Sequence, residues 1–261
     1  MPRILPASSL NLHSLSQSIA RLDHFYQAKF RNRFGPVVRA LTPYIPRDGT
    51  ILDIGANHGK FAKNFAALHD RACKVWCFEP LEYNYTLLQT IVRPFSNVRI
   101  FKLALSDRAG TADLFLPVKT ASRRILPGSA HLGVESNANH FGTSTAPDVA
   151  RITIPTDTLD AVAARENLSA LDFIKIDVEG AEGLVFRGGR ATLSRFMPPI
   201  YTELQPGRPE CLGMTVHDVV KELTNLGYKP HAFDEDQTTP TPVPGYTEGV
   251  RDYLFLHPDR K

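Results

Sequence analysis

Residues 51–61 constrain the fold of this chain more than any other segment. They read ILDIGANHGKF, which is an apolar run, a turn with glycines at positions 55 and 59, and the start of an amphipathic pattern. Glycine suits this turn because the backbone must reverse tightly between strand and helix and leave room for a ligand. The free amides at the start of the helix then face an anionic or polar group. The segment therefore predicts a nucleotide-cofactor site.

From residue 50 onwards, short apolar segments alternate with amphipathic ones. Strands are predicted at 50–54, 74–78, 98–105, 173–177 and 200–204, and helices near 60–68, 82–92, 159–164, 184–194 and 216–226. This alternation is typical of a doubly wound α/β fold, a parallel sheet with helices on both faces. No helix separates the last two strands, 229–233 and 252–257, so we expect a terminal hairpin with one antiparallel strand in the sheet. Added strands are expected at 111–116 and 151–155.

We divide the chain into an N-terminal helical extension, 1–47, and one α/β domain, 48–261. The extension has apolar residues at helical spacing and seven arginines or lysines against one acid. Such a basic helix suits a membrane surface, an acidic partner or a phosphorylated substrate, although most charge clusters are simply solvated faces. The segment 117–150 is polar and has no sustained period, so we expect a lid or substrate loop there.

The overall composition argues against several classes of protein. A net charge of +3 is too small to indicate nucleic-acid binding. No apolar run approaches the ~20 residues of a membrane span, and the first residues lack a signal-peptide pattern. The three cysteines form no CxxC pair, which predicts reduced thiols and neither a disulfide framework nor a zinc site. A cytoplasmic protein is therefore expected.

Polar residues follow the predicted strands at their carboxyl ends, where such sheets bind ligands. They are Asp53 with the glycine turn, Glu79, Ser106 with Asp107, Asp177 with Glu179, and Glu203. Glu79 has the spacing from Gly55 at which an acid binds ribose hydroxyls, and this fits a dinucleotide and S-adenosylmethionine equally. Asn57, however, replaces the second glycine of the dinucleotide fingerprint G-x-G-x-x-G, which makes room for a pyrophosphate. Asn57 and the terminal hairpin therefore favour S-adenosylmethionine.

Taken together, the motifs resemble the FkbM-type methyltransferases, class I enzymes that depend on S-adenosylmethionine. The matching segments are DIGANHGKF at 53–61, FEP at 78–80 with Asn84, ALSD at 104–107 with Gly110, TLD at 158–160, and FIKIDVEGAE at 173–182. The resemblance covers about residues 50–205. It implies a Rossmann-like seven-stranded sheet with an antiparallel last strand, and methyl transfer, commonly to a hydroxyl of a sugar or polyketide-like molecule.

The resemblance also implies roles for individual residues. Gly55, Asn57 and Gly59 would line the methionine end of the cofactor, and Asp53 and His58 are further cofactor-binding candidates in the same segment. Glu79 would hold the ribose, and Ser106 with Asp107 would lie at the adenine, although Asp107 also suits a plain turn. Asp177 would lie beside the methyl group or the cofactor amine.

A group that takes the hydroxyl proton would assist methyl transfer to an alcohol. The candidates are Asp177, Glu179, Glu203, Lys175, His58, His131 and His140. Lys175 and Asp177 share one face of a strand because they flank a single residue. Lys175 would need a lowered pKa to act as a base, and its alternative role is a structural ion pair. Glu179 could instead lie at a helix N-terminus, and Glu203 could instead pair with Lys175 or Arg187. No metal site is predicted.

The leading hypothesis is an O-methyltransferase that acts on a sugar, a glycolipid or a secondary metabolite. A nicotinamide-dependent oxidoreductase on the same sheet is the first alternative, against which Asn57 and the lack of a Tyr-x-x-x-Lys pair argue. The second alternative is a non-catalytic module that uses the cofactor fold only to bind a partner. A small-molecule or glycan acceptor is expected, nucleic acid is not, and contact of the basic N-terminus with a membrane stays open.

Overall fold

The computed structural model describes residues 4–6, 15–119, 124–125, 131–132, 148–233 and 239–260. Within these ranges the strands are β1 (Ile4–Pro6), β2 (Thr50–Ile54), β3 (Lys74–Phe78), β4 (Val98–Phe101), β5 (Ala104–Leu105), β6 (Gly110–Lys119), β7 (Arg124–Ile125), β8 (His131–Leu132), β9 (Asp148–Asp157), β10 (Phe173–Ile176), β11 (Ile200–Glu203), β12 (Lys229–Phe233), β13 (Pro240–Pro242) and β14 (Asp252–Leu256). The helices are α1 (Leu15–Phe30), α2 (Gly35–Leu41), α3 (Lys60–Ala67), α4 (Glu82–Val92), α5 (Leu159–Arg165), α6 (Glu182–Gly188), α7 (Arg190–Phe196) and α8 (Val216–Thr224). Short 3₁₀ helices cover Thr42–Tyr44, Leu68–Arg71 and Pro209–Leu212.

The main sheet has the strand order β13-β12-β14-β11-β10-β2-β3-β4. Strands β11, β10, β2, β3 and β4 are parallel, whereas β14 is antiparallel to both of its neighbours, β11 and β12. The predicted Rossmann-like sheet with an antiparallel last strand is therefore confirmed. An eighth strand, β13, extends the edge beside β12, within the segment that joins the two strands of the predicted hairpin.

Helices cover both faces of this sheet because its central strands are apolar on both sides. Ile51 packs into one layer with α2, α3 and α4, and the adjacent Leu52 packs into the opposite layer with α5 to α8. Helix α1 contacts α4 and adds Ala28 to the first layer. No helix of the described residues is long and apolar enough to cross a membrane.

The single helix expected at 184–194 is in fact two helices, α6 and α7. The chain breaks at Gly188 and Gly189, where an added Cβ on Gly189 would lie 2.9 Å from Leu159. Asp160 then caps the new helix, since its carboxylate accepts hydrogen bonds from the amides of Ala191 (3.1 Å) and Thr192 (2.7 Å). The TLD motif thus has a structural role, because Thr158 also caps α5.

A second sheet is built around β9, which pairs in parallel with β1 and β5 and antiparallel with β6. Strands β7 and β8 pair with β6. The expected added strands are confirmed, and both are longer than predicted. The strand expected at 98–105 is split, since β4 belongs to the main sheet and β5 to the second one.

The second sheet packs over the loops that follow β3 and β10. Leu114, Leu116 and Ile154 contact a core that includes Leu81 and Ala181. The expected loop 117–150 begins on β6 and ends on β9, and most of it lies outside the described residues. Its role as a lid and the domain division at residue 47 stay predictions.

Candidate active site

A cavity of about 650 Å³, including its mouth, opens at the carboxyl ends of β2, β3 and β10. Its polar wall consists of Gly55, Asn57, Glu79, Asn84, Asp177 and Glu179. Its apolar wall includes Leu103, Leu105, Leu114 and Ile154, so both sheets contribute to it. The carboxyl-end position expected for the site is therefore occupied by a cavity.

The glycine turn is held by contacts with the neighbouring strand ends. Gly55 has φ +74°, and a Cβ there would lie 1.9 Å from the backbone oxygen of Asp177. The turn's amides are largely used within the protein, because those of Gly55 and Ala56 donate to Phe78 O and that of Gly59 donates to Ala56 O. These amides are therefore not free to bind a phosphate.

Glu79 fastens this turn and also lines the cavity. Its Oε2 accepts a hydrogen bond from the amide of Asn57 (2.9 Å), and its Oε1 accepts from Leu81 N (3.0 Å) and Asn84 Nδ2 (3.3 Å). Burial raises the pKa of Glu79 to about 7 in spite of these donors. A carboxylate offers about four acceptor directions, so one is left for a hydroxyl group.

Asn57 lines the cavity with an unsatisfied polar atom. Its Oδ1 is buried and has no hydrogen-bond partner among the described residues. Buried polar atoms are almost always paired, so an orphaned acceptor in a cavity indicates a donor that arrives with a ligand. Its φ of +49° is one that asparagine tolerates better than most residues.

Lys175 and Asp53 form a buried ion pair behind the turn. Their strands align them directly opposite each other, Lys175 Nζ lies 3.3 Å from Asp53 Oδ1, and the side chains are 4% and 0% exposed. Lys175 Nζ also donates to Gly55 O (2.9 Å) and lies 3.8 Å from Asp177 Oδ2. Burial disfavours its charge, yet the negative charges of Asp53 and Asp177 raise the pKa of Lys175.

The geometry thus agrees with a structural ion pair. The pKa of Lys175 is raised and not lowered, so the condition for its acting as a base is not met. Neither Lys175 nor Asp53 is among the residues that line the cavity. Asp53 was predicted to bind the cofactor directly. In the structure it is connected to the site through Lys175 and Gly55, and its direct contact with the cofactor stays a prediction.

Asp177 and Glu179 are the catalytic candidates that reach the cavity. The side chain of Asp177 is 41% exposed. Glu179 pairs with Arg208 (Oε2 to Nη1, 2.9 Å), and burial together with the charge of Asp177 raises its pKa to about 8. Glu182, and not Glu179, is the first residue of helix α6. Its Oε1 accepts hydrogen bonds from Val178 N (3.1 Å) and Gly180 N (3.2 Å).

Glu203 lies away from the cavity wall. Burial and the charge of Asp177 raise its pKa. The proposed partner Arg187 pairs with Glu222 instead (2.7 Å).

The described residues contain no group of three or more His, Cys, Asp or Glu that could hold a metal ion, and the expectation of a metal-free site stays a prediction.

The remaining residues of the glycine turn are covered by helices. His58 is buried and stacks on His24 of α1, with ring centroids 4.7 Å apart. Burial lowers the pKa of His58 to about 3, so its ring is neutral and unsuited to act as a base at neutral pH. Gly59 opens α3, where a Cβ would lie 2.8 Å from Leu88. Neither residue lines the cavity.

The expected adenine end is marked less directly. Ser106 is buried and its hydroxyl donates to Asp107 Oδ1 (3.3 Å). Both follow Leu105, which lines the cavity, but neither lines it itself. His131 lies in β8, where it pairs in register with Phe115, and His140 lies outside the described residues.

Sequence reasoning missed the apolar wall and Arg208. Leu114 and Ile154 come from the second sheet, and nothing in their local pattern shows that this sheet covers the site. Arg208 follows β11 in an irregular segment, without a motif. The signal for Asn84 was present in the resemblance, and the structure shows it bonded to Glu79.

Comparisons with known proteins point to one family. Residues 53–230 match the model of the methyltransferase FkbM domain. The 2-O-methyltransferase NoeI of Sinorhizobium fredii is 35% identical over 162 residues, which are 60% of this chain and 63% of NoeI. Methyltransferase sdnD of Sordaria araneosa is 24% identical over 203 residues, 72% of this chain and 75% of sdnD.

A solved FkbM methyltransferase from Methylobacillus flagellatus shares the fold, with a TM-score of 0.51 and 13% identity. That match covers 93% of this chain and 60% of the solved one, so this chain spans less than two thirds of both that protein and NoeI. The family match itself extends over well more than half of the chain. The chain belongs to the FkbM methyltransferase family.

Proposed function

We propose that this protein transfers a methyl group from S-adenosylmethionine to a hydroxyl oxygen of a sugar, a glycolipid or a secondary metabolite. The observation that carries the proposal is the cavity wall of Gly55, Asn57, Glu79 and Asp177 in a chain of the FkbM family. The name of NoeI, a 2-O-methyltransferase, supports a hydroxyl as the acceptor.

The residues of the cavity fit this methyl donor better than a dinucleotide. The free acceptor direction of Glu79 suits a ribose hydroxyl, and the orphaned Oδ1 of Asn57 suits the amino group of the methionine part. Asp177 offers a negative charge to a cation, and Leu103 and Leu105 offer an apolar surface to a ring. A pyrophosphate would need turn amides that already donate within the protein.

The donor supplies an electrophilic methyl group on a sulfonium, and the protein's task is to align the acceptor and remove its proton. Glu179 is the base that we assign to the proton of the acceptor hydroxyl. It lines the cavity, and its pKa of about 8 gives it affinity for a proton near neutral pH. Asp177 would orient the donor beside it. Arg208 would hold the Glu179 carboxylate in place.

Calorimetry with S-adenosylhomocysteine and, in parallel, with NADH tests the cofactor assignment. We expect binding of S-adenosylhomocysteine alone. Glu79→Ala should weaken it about 10- to 100-fold, because a hydrogen bond to a charged group contributes about 1.5–3 kcal/mol. Glu82→Ala is the matched control, since this exposed acid lies three residues away and pairs with Lys102. Tight binding of NADH without S-adenosylhomocysteine would overturn the proposal.

Transfer of a labelled methyl group to a panel of sugars and glycolipids distinguishes catalysis from mere binding. Asp177→Asn and Glu179→Gln should lower kcat and leave the fold intact, and Glu179→Gln should also remove a rise of kcat with pH near 8. Unchanged kcat in both variants would disprove these roles. Transfer to none of the acceptors, with intact cofactor binding, would favour a non-catalytic module.

We also infer a cytoplasmic location. Cys73 and Cys77 are free and buried, which suits a reducing compartment. Fractionation of cells that express the tagged protein tests this.

A further inference from the structure

Helix α1 turns its large apolar side chains away from the protein. Ile19, Leu22, Tyr26 and Phe30 are 58%, 68%, 56% and 63% exposed. Their spacings of three and four residues place them in one row, here called the α1 stripe. Apart from Ile4, they are the exposed large hydrophobic residues of the described part of the chain. Single exposed apolar residues are ordinary, but a contiguous row of them marks an interaction surface.

The opposite face of α1 is fixed on the protein. Ala20 and Ala28 are buried, and His24 stacks on His58 and lies 3.0 Å from the hydroxyl of Tyr83. At the end of the helix, Lys63 Nζ donates to the backbone oxygens of two residues of α1 and the following loop (3.1 and 3.0 Å). These contacts fix the rotation of α1 about its axis, and the α1 stripe therefore faces outward because of packing.

Positive charges lie at the C-terminal end of the α1 stripe. Lys29, Arg31 and Arg33 are exposed, and we call them the basic rim. The ammonium of Lys29 lies 5.2 Å and 5.5 Å from the ring centroids of Phe25 and Phe30, at the edge of the apolar row. The helix has one acid, Asp23, which accepts a hydrogen bond from Gln27 (2.7 Å). An apolar row with cations at one end is suited to an anionic lipid surface.

A second copy of the chain complements this surface less well. In a two-fold dimer the same patch meets itself, so two surfaces of the same positive charge come together. The resulting repulsion opposes association, whereas anionic headgroups attract the same charges.

We propose that the α1 stripe and the basic rim dock the protein on an anionic membrane surface. The apolar side chains enter the boundary between headgroups and acyl chains, and the bases contact lipid phosphates. Because His24 of the same helix stacks on His58 of the glycine turn, the docked helix brings the candidate active site close to the lipid surface. Docking does not depend on methyl transfer and is tested without it.

Flotation of the full chain with vesicles is the direct test. We expect binding to phosphatidylcholine vesicles that contain phosphatidylglycerol, weaker binding to pure phosphatidylcholine, and loss of binding as salt is raised. The double variant L22S/Y26S should bind at least about tenfold more weakly, because it removes two inserting side chains. Lys29→Gln and Arg33→Gln should each cost about fivefold.

The double variant R195Q/K221Q is the matched control. These two exposed cations lie on α7 and α8, against the opposite face of the sheet, and their loss should leave vesicle binding unchanged. Unchanged urea midpoints and unchanged binding of S-adenosylhomocysteine would show that all variants are folded.

Several results would overturn the proposal. They are absence of vesicle binding, equal binding by L22S/Y26S, and an equal loss in the control variant. A dimer in analytical ultracentrifugation that L22S/Y26S dissociates, without vesicle binding, would assign the α1 stripe to a second copy instead.

Discussion

Replacement of Lys175 by methionine tests whether the buried pair is structural. The variant keeps a long apolar side chain but leaves the Asp53 carboxylate, which is fully buried, without a counter-charge. It also removes the donor to Gly55 O. Breaking a buried ion pair by removal of one partner typically costs about 3–5 kcal/mol. Because domains are stable by only about 5–15 kcal/mol, this is a large part of the total.

Urea unfolding followed by circular dichroism measures this loss. A second variant, D53N/K175M, removes both charges and should recover much of the stability, since the cost comes from the uncompensated carboxylate. Lys102→Met is the control, because the Lys102–Glu82 pair is exposed and contributes at most about 1 kcal/mol. Folded Lys175→Met should still bind S-adenosylhomocysteine, because Lys175 does not line the cavity.

The opposite pattern would refute this reasoning. If Lys175→Met is as stable as the wild type but transfers no methyl group, Lys175 acts in the reaction and the buried pair is not needed for folding. If D53N/K175M is less stable than Lys175→Met, the uncompensated charge is not the cause of the loss.

Three further predictions concern the frame of the site. Gly55→Ala should destabilise by at least about 2 kcal/mol in urea, because its Cβ would meet the Asp177 backbone at a positive φ, whereas Gly249→Ala, with a similar φ and open space, should show only the smaller conformational cost. Burial raises the pKa of Glu182 from 4.5 to about 7, so the folded state binds the proton more tightly than the unfolded state. This contribution to the unfolding free energy is fully present below pH 4.5 and is lost as the pH rises through 7. Glu182→Gln should reduce the fall of the unfolding free energy with pH in urea titrations, and an unchanged fall would contradict the assignment. Asp160→Ala should lower the unfolding free energy by about 1 kcal/mol through loss of the α7 cap, and an unaltered midpoint would refute the cap.

Local patterns were enough to predict the main sheet, but not the contacts between distant segments. Strand parity placed Lys175 and Asp177 on one face, yet only the register of β10 against β2 shows that Lys175 lies opposite Asp53. The glycine turn pointed to the edge of the sheet at which the cavity opens. It could not show that α1, far away in sequence, covers His58 and withdraws it from the cavity.

The split of the predicted strand 98–105 has a similar cause. Its apolar pattern is continuous, but Ala104 and Leu105 pair with β9, whose position depends on a second sheet that local sequence does not reveal. The helix break at Gly188 could have been predicted more easily from the sequence. Its two adjacent glycines weaken a helix, and the close approach of Ser106 O (2.0 Å from an added Cβ) explains why no side chain fits there.

The pairing of β6 with β9 has a consequence for how this protein can diversify. The two strands stay in register from Gly110 opposite Thr156 to Val118 opposite Asp148, so the chain leaves and re-enters the sheet at neighbouring points about 5 Å apart. When both ends of an insertion are clamped in this way, each doubling of its length costs only about 0.6 kcal/mol of closure entropy. Outside β7 and β8, which pair with β6, the stretch between these strands can therefore be lengthened at small cost, while Leu114 and Ile154 on the clamp keep the cavity wall unchanged.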